Sequence, residues 1–196
     1  MEQPGTSSGA TVVRVRTAPS SDVVELFRES FPRHPVSRLD PASSAAFLAS
    51  YAQHATLLVA SDDTLGDIGF LVGGLMATLD RTRLRFIRRH ALRIAAASAQ
   101  SHSLRQLVLP RLKPAKSFDA ALYALHQLRF IAVAPHAQRQ GIGAQLVEAF
   151  ESTLDGEPGY HTWTMAGERG AEAFFHRVGF TSDIIFGEHL RMYKAL

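Results

Sequence analysis

The sequence predicts an α/β fold built as one domain. The chain has 196 residues, of which 46% are hydrophobic, and this is enough apolar side chain to bury one sizeable core. Runs rich in β-branched residues alternate with amphipathic stretches in the order β-α-α-β-β-(helical stretch)-β-α-β-α-β-β. These two observations predict about seven strands flanked by helices, with an extra helical segment between the third and fourth strands.

The first part of the chain predicts one strand and two helices. The β-branched run over 12–17 is typical of a strand, and residues 20–22 are Ser-Ser-Asp, which favours a helix N-terminus. That helix ends by Phe31, because Pro32 follows it. After a proline-containing loop, the stretch 42–53 predicts the second helix.

The middle of the chain predicts a hairpin followed by helices. Strands over 56–61 and 67–78 are joined by turn-forming residues. Alanine content and apolar spacing predict a helix over 84–99, and 104–112 is compatible with another short helix. The apolar spacing places Leu84, Ile87, Ala91 and Ile94 on one side of the first of these helices.

The remaining elements follow from strand composition and from helix stop signals. Pro135 ends an apolar strand, and the Asp155-Gly156 pair and Gly179 end two helices. The predicted strands are 123–133, 160–165, 180–186 and 189–194, and the predicted helices are 142–154 and 169–178.

Composition excludes several classes of protein. The chain has no cysteine, which excludes disulfides, thiolate zinc sites and a cysteine nucleophile and favours a reducing, cytoplasmic compartment. The first ten residues lack the pattern of a signal peptide, and the longest nearly apolar run, 68–79, is shorter than the roughly 20 residues that cross a bilayer. The nine histidines show no metal-binding spacing, so we expect no metal.

Positive charge is concentrated in one segment. Ten of the 21 Lys and Arg residues lie in 81–116 with no acidic residue, so the rest of the chain has 11 basic and 18 acidic residues. We predict that 81–116 is a basic helical insertion whose apolar side packs on the domain or on a second subunit of a homodimer. Its basic side faces solvent, an anionic acceptor or an anionic membrane surface. Nucleic acid is disfavoured, because Phe86 is the one aromatic residue in the segment.

A glycine-bearing loop lies between the predicted strand 123–133 and the following helix. Gly141 and Gly143 allow close backbone approach, and the N–H groups of 139–144 precede the first helical hydrogen bonds. The helix dipole adds positive potential there, which favours a phosphate or pyrophosphate. A P-loop is excluded by the missing Gly-Lys-Ser/Thr, and the dinucleotide fingerprint by Leu146 where it needs a third glycine.

Two motifs together resemble the GCN5-related N-acetyltransferase (GNAT) superfamily. The first is Val133-x-Pro135-x-x-Gln138-x-x-Gly141-x-Gly143, and the second is Ala171-x-x-Phe174-Phe175-x-x-x-Gly179-Phe180. The resemblance covers most of 12–194 but neither the tail 1–11 nor the segment 81–116. It implies one GNAT-like acyl-CoA N-acyltransferase domain over 12–196, with a mixed, mostly antiparallel sheet.

The resemblance also implies acetyl-CoA as the co-substrate and a small-molecule amine as the acceptor. The main chain of Ile131, Ala132 and Val133 would then bind the pantetheine arm, and a backbone N–H near Val133 would stabilise the oxyanion. Phe175 would pack under the cofactor sulfur. The pyrophosphate would be held by Gln138, Arg139, Gln140, Gly141, Ile142, Gly143 and Ala144.

The sequence departs from the family pattern at two positions. Phe175 stands where the family usually has a proton-donating tyrosine, which leaves a water, Tyr123 or Tyr193 as alternative acids. Gln127 stands where some members have a glutamate base, which leaves the base open. A degenerate protein that binds acyl-CoA without turnover therefore stays an alternative, as does an acetyltransferase that acts on a peptide or protein amine.

Four further residues are candidates for the acceptor side. His34 is a candidate base in the loop after the first helix, and Glu168 could orient an amine. Strand alternation would place Gln127 and Arg129 on the same face as Ile131 and Val133, where they would contact the acceptor. We interpret His126, one step off that face, as a core histidine. A basic insertion beside this site would favour an anionic acceptor such as a phosphorylated amino sugar.

Overall fold

The structure is a computed structural model that describes residues 11–100, 124–167 and 169–196. The predicted tail, the possible helix over 104–112 and the second half of the basic segment therefore lie outside the described residues, as do Tyr123 and Glu168. The predicted domain boundaries stay predictions.

Seven strands form one sheet in the order β1-β2-β3-β4-β5-β7-β6, which confirms the predicted fold class. Neighbouring strands are antiparallel except β4 and β5, which are parallel. The strands are β1 (Val12–Val15), β2 (Thr56–Asp62), β3 (Gly66–Leu75), β4 (His126–Val133), β5 (Gly159–Met165), β6 (Thr181–Phe186) and β7 (His189–Ala195).

Six α-helices flank the sheet in the described part of the chain. They are α1 (Ser21–Ser30), α2 (Pro41–Ala52), α3 (Met76–Arg89), α4 (Ala91–Gln100), α5 (Ile142–Glu151) and α6 (Arg169–Arg177). Ser20 caps α1, since its hydroxyl accepts from the Val23 N–H at 3.3 Å. Asp40 caps α2 in the same way through the Ser43 N–H at 2.9 Å. Both ends agree with the predicted starts to within one or two residues.

The two faces of the sheet carry different helices. On one face, the ring of Phe27 in α1 packs against Phe47 in α2, Phe70 in β3 and Phe130 in β4, with ring centroids 5.4 to 6.5 Å apart. Tyr51 extends this buried aromatic cluster, at 5.0 Å from Phe47. This face holds α1 and α2 and forms the larger part of the core.

The opposite face is covered by α5 and α6. A Cβ on Gly73 of β3 would lie 2.5 Å from the ring of Phe150 in α5, so the helix approaches the strand at this glycine. Phe150 packs on Tyr160 of β5 at 5.4 Å, and Tyr160 packs on Phe180 at 5.0 Å. Burial raises the pKa of Tyr160, whose hydroxyl also donates to Glu151 at 2.6 Å.

The predicted boundary between the third strand and the basic helix was wrong. The third strand ends at Leu75 instead of position 78, and α3 begins at Met76 instead of position 84. The single helix predicted over 84–99 is two helices that meet at His90. Apolar composition does not distinguish a buried strand from the first turns of a buried helix, which explains the error.

The predicted apolar side of this helix was also wrong. The buried residues of α3 are Met76, Leu79, Thr82 and Phe86. Leu84 is 43% exposed and Ala91 is exposed, whereas Ile94 is buried as predicted. The helix starts eight residues before the predicted position. The ring of Phe86 packs against Phe47, with ring centroids 5.1 Å apart, and this contact sets the orientation of α3.

In the described residues, no helix combines the length and apolarity that a membrane span requires. The cytoplasmic location and the homodimer stay predictions.

Candidate functional site

The parallel strands β4 and β5 separate halfway along their length. They are paired over three residues of each strand, and the last pair is Leu128 with Thr162. The Thr162 hydroxyl donates to the Leu128 carbonyl at 3.0 Å and closes this end of the pairing. Beyond it, β4 continues to Val133 beside β3, and β5 continues beside β7, so a gap opens between them.

Backbone groups of two residues in β4 point into this gap. The Ala134 N–H donates to the Ile68 carbonyl of β3 at 2.8 Å, so residue 134 faces β3. Alternate residues of a strand direct their backbone groups to opposite neighbours. The N–H and C=O groups of Ile131 and Val133 therefore face the gap.

A β-bulge at Arg129 corrects one prediction. Phe130 pairs with Val72 and Leu128 pairs with Gly73, so Arg129 is an extra residue without a partner in β3. The bulge shifts the alternation of β4 by one residue. Gln127 and Arg129 consequently face the side of α2 and α3, whereas Ile131 and Val133 face the side of α5, and the four do not share a face.

The loop after β4 leads into α5 through a left-handed turn. Arg139 has φ +63° and Gly141 has φ +83°, and Gln138 donates from Nε2 to the Val133 carbonyl at 3.1 Å. Among the described residues, the N–H groups of 139–143 have no acceptor, but Ala144 donates to the Gly141 carbonyl at 2.9 Å. The free N–H donors were predicted over 139–144, and Ala144 does not belong to this set. Five adjacent N–H groups and the helix dipole are suited to a pyrophosphate.

Gly141 and Gly143 have different structural roles in this loop. A Cβ on Gly141 would meet nothing within 4 Å, so this glycine is required by its positive φ. A Cβ on Gly143 would lie 2.9 Å from Cε2 of Phe174 in α6. Gly143 therefore allows α6 to pack close to the start of α5, which is a different role from the predicted one of clearing space for a ligand.

Phe175 is a core residue and is 5% exposed. Its ring packs against Phe174 and Phe180, with centroids 5.2 Å away in each case. Phe174, rather than Phe175, is the aromatic ring of α6 that contacts the loop residue Gly143.

On the other side of the gap, polar groups are buried beneath α3. Arg129 donates to Asp80 of α3 at 2.6 Å, and Arg83 lies 3.7 Å from the same carboxylate oxygen. The Tyr51 hydroxyl is buried beside them, and burial raises its pKa. The Tyr51 hydroxyl and Nε of Arg83 and of Arg129 are buried and have no hydrogen-bond partner among residues 11–100, 124–167 and 169–196. Groups of this kind are rare in proteins unless a ligand or water satisfies them.

The next strand extends this polar cluster. His161 of β5 is paired in register with Gln127 of β4 and with Tyr193 of β7. Both ring nitrogens of His161 and Oε1 of Gln127 are buried, with no hydrogen-bond partner in the described part of the chain. On β7, Arg191 forms an ion pair with Asp183, and its buried Nε likewise has no partner there. We call Tyr51, Asp80, Arg83, Gln127, Arg129, His161, Asp183 and Arg191 the polar cluster.

The histidines considered in the sequence have structural contacts. Nδ1 of His34 accepts from the Val36 N–H at 3.3 Å and caps a short 3₁₀ helix (Pro35–Arg38). The ring of His34 also packs 5.2 Å from Phe47 and 5.5 Å from Phe130. His126 is half-buried, and its Nδ1 lies 3.6 Å from Glu157. The described residues include no group of three or more potential metal ligands.

Comparison with known proteins identifies the family. Residues 111–182 match the family model described as an acetyltransferase (GNAT) domain. This match contains β4, the loop, α5, β5 and α6, which are the elements that form the gap. This part of the chain is a GNAT acetyltransferase domain. No curated protein matches the sequence.

Solved structures agree with the GNAT assignment. The chain is similar to SsHAT, with 19% identity, a TM-score of 0.61 and coverage of 95% of this chain and 98% of that one. An N-acetyltransferase from Staphylococcus aureus Mu50 gives 14% identity, a TM-score of 0.60 and coverage of 93% and 100%. Naa20 from Chaetomium thermophilum, in complex with a bisubstrate analogue, has 17% identity and a TM-score of 0.52, and the match covers 94% of this chain and 86% of that one. At these identities the likeness shows the GNAT fold.

Sequence reasoning named residues on one side of the candidate site and few on the other. The gap-facing residues of β4 and the loop were named because contiguous motifs contain them. His161, Asp80 and Arg191 were missed, because each comes from a different element and none belongs to a motif. His161, between Tyr160 and Thr162 in a strand, gives no signal of its own in the sequence, and its neighbours are set by the pairing of β4, β5 and β7.

Proposed function

We propose that this GNAT protein transfers an acetyl group from acetyl-CoA directly to the amine of a small-molecule acceptor. The observation that carries the proposal is the separation of β4 from β5 after Leu128 and Thr162, which opens a gap between the loop on one side and the polar cluster on the other. A donor bound along the gap and an acceptor bound at the cluster would meet there. Direct attack needs no covalent enzyme intermediate.

The donor side fits the two polar parts of acetyl-CoA. The free N–H groups of 139–143 at the start of α5 suit the pyrophosphate, and the open space beside Gly141 lets it approach the backbone. The gap-facing backbone of Ile131 and Val133 suits the amides of the pantetheine arm. A backbone N–H near Val133 would then stabilise the negative charge that develops on the thioester oxygen.

The charge of the polar cluster favours an acceptor with an anionic group. Three guanidinium groups, those of Arg83, Arg129 and Arg191, face two carboxylates, those of Asp80 and Asp183. The Nε donors of these arginines are buried and have no partner among the residues that the structure describes. A phosphate or carboxylate on the acceptor would supply the missing acceptor oxygens and balance the charge. Phosphorylated amino sugars and amino acids both have this chemistry.

Release of CoA thiol in the presence of a panel of amines tests the proposal. The panel contains amino sugars with and without phosphate, amino acids, polyamines and short peptides. We expect amine-dependent thiol release, fastest with an anionic small amine. Fastest release with peptides would support the protein or peptide alternative. Tight binding of acetyl-CoA without release by any amine would support the non-catalytic alternative and overturn the proposal.

A further inference from the structure

We propose that the imidazole of His161 accepts the proton of the attacking amine, and that Gln127 positions that amine beside it. The inference rests on the proposed acetyl transfer and assigns its proton acceptor, which the sequence leaves open because Gln127 has no basic group. Its basis is the position of His161 at the closed end of the gap and the absence, among the described residues, of a hydrogen-bond partner for its ring.

His161 is located where an acceptor amine would meet the thioester. It precedes Thr162, the last residue of β5 that pairs with β4, by one position. Its neighbour Tyr160 packs against Phe150 of α5. Successive side chains of a strand point to opposite faces of the sheet. His161 therefore faces away from α5, toward the face of the sheet that carries the polar cluster.

The imidazole is buried and makes no hydrogen bond within the described part of the chain. His161 is 1% exposed, and neither Nδ1 nor Nε2 has a partner there. The Gln127 carboxamide, in register on the adjacent strand, has a buried Oε1 that also lacks a partner among these residues. A primary amine has two N–H groups and can donate one to His161 and one to Gln127. These two acceptors match the groups that an amine presents.

The surroundings keep the imidazole neutral and able to accept a proton. Burial, followed by the charges of Arg191 and Arg129, lowers the pKa of His161 to about 4, while Asp80 and Asp183 act weakly in the opposite direction. The Tyr193 hydroxyl, on the neighbouring β7, donates to the Pro158 carbonyl at 3.2 Å and is therefore committed elsewhere. A weak base is sufficient, because an amine nitrogen that has bonded to a carbonyl carbon is strongly acidic.

The step balances without a further reactant. The amine nitrogen forms a bond to the thioester carbon, and the carbon–sulfur bond breaks as CoA leaves as a thiolate. One proton passes from the nitrogen to His161. The imidazolium then returns this proton to the thiolate, so that the products are the amide and CoA thiol. No oxidant, metal or covalent enzyme intermediate takes part.

The experiment compares the parent protein with His161→Ala and His161→Gln, using acetyl-CoA and the fastest amine of the panel. We expect kcat to fall at least about a hundredfold in both variants. Added imidazole should restore a measurable part of kcat to His161→Ala, where the ring has left space, but not to His161→Gln. A purely structural histidine would show no such rescue. His126→Gln, on the adjacent strand, is the matched control and should retain the parental rate.

The outcomes separate this inference from the proposed function. If the parent acetylates an amine and both His161 variants do so at the parental rate, the role of His161 is overturned and the proposed function is not. If both variants lose activity equally and imidazole restores none of it, His161 is not the proton acceptor. A parent that releases no thiol with any amine would overturn acetyl transfer itself. Calorimetric binding of acetyl-CoA by each variant checks that the donor side is intact.

Discussion

Gly143 is the loop residue whose role changes most between sequence and structure. Its Cβ would meet the Phe174 ring at 2.9 Å instead of open space. We expect Gly143→Val to push α6 from the start of α5, distort the donors of 139–143 and weaken CoA binding at least tenfold, about 1.4 kcal/mol. Isothermal titration calorimetry with CoA measures this loss.

A second substitution distinguishes the two explanations. Adding Phe174→Ala to Gly143→Val removes the ring that the valine would meet, and we expect this double variant to regain most of the affinity. If it stays as weak as the single variant, the valine itself blocks the ligand. Unchanged affinity in a folded Gly143→Val protein would contradict pyrophosphate binding by this loop. Gly141→Ala is a useful comparison, because it adds only backbone strain of about 1 kcal/mol.

Asp80 is the carboxylate that compensates Arg129 beneath α3. The two side chains are 16% and 17% exposed and are joined by a 2.6 Å hydrogen bond. Asp80→Ala leaves two partly buried guanidinium groups, those of Arg129 and Arg83, without their anion. We expect a loss of about 2–3 kcal/mol in the free energy of unfolding, somewhat less than for a fully buried pair. Urea unfolding measures it, with Asp63→Ala at an exposed turn as the control; equal midpoints would refute the structural importance of the pair.

At the scale of an element, α3 separates its basic residues into two groups. Arg81, Arg85, Arg88 and Arg89 are exposed, whereas Arg83 faces the polar cluster through Asp80. Under the proposed function, Arg83 would contact the acceptor, and the exposed arginines of the same helix would attract it over a longer distance. The segment was predicted as a unit from its charge alone, and charge does not report the direction of each side chain.

Acceptor kinetics test this division of α3. We expect Arg83→Gln to raise the KM for an anionic acceptor about tenfold at any ionic strength, since it removes a donor at the site. The triple substitution Arg85→Gln, Arg88→Gln and Arg89→Gln should reduce the salt dependence of kcat/KM and leave the KM at high salt unchanged. The KM for acetyl-CoA is the internal control. Identical salt profiles for the triple variant and the parent would remove any recruiting role from the exposed arginines.

At the scale of the whole molecule, His161 makes stability depend on pH. Its pKa is about 4 in the folded protein and about 6.5 when unfolded, so between these values the unfolded chain binds more protons. Stability is therefore fully present above pH 6.5 and falls as the pH drops toward 4, by at most about 3 kcal/mol. The lowered carboxyl pKa values of Asp40 and Asp62 act only below this window.

Urea unfolding at several pH values from 7.5 to 4.5 measures this dependence. We expect His161→Gln to flatten the profile between pH 6.5 and 4.5 relative to the parent. Equal slopes in the parent and in His161→Gln would contradict a buried, neutral imidazole at this position.

The sequence predicts the fold well where patterns are local. Seven strands, the order of helices, the loop after β4 and the end of β4 at Pro135 all follow from composition, periodicity and turn residues. The bulge at Arg129 does not, because it appears only when β4 pairs with β3. The orientation of α3 depends on the contact between Phe86 and Phe47. The polar cluster forms only where β4, β5, β7 and α3 lie next to one another. These are long-range contacts that no short motif contains.

The central claim is that acetyl-CoA bound at the gap gives its acetyl group to an amine. Mass spectrometry of a reaction with isotopically labelled acetyl-CoA and an anionic small amine tests this claim most directly, because it follows the group itself. Direct transfer predicts labelled N-acetyl product in amounts equal to the CoA thiol released, and protein that carries no label at the end of the reaction. Label that remains on the protein, or thiol released with free acetate and no amide, would contradict direct transfer.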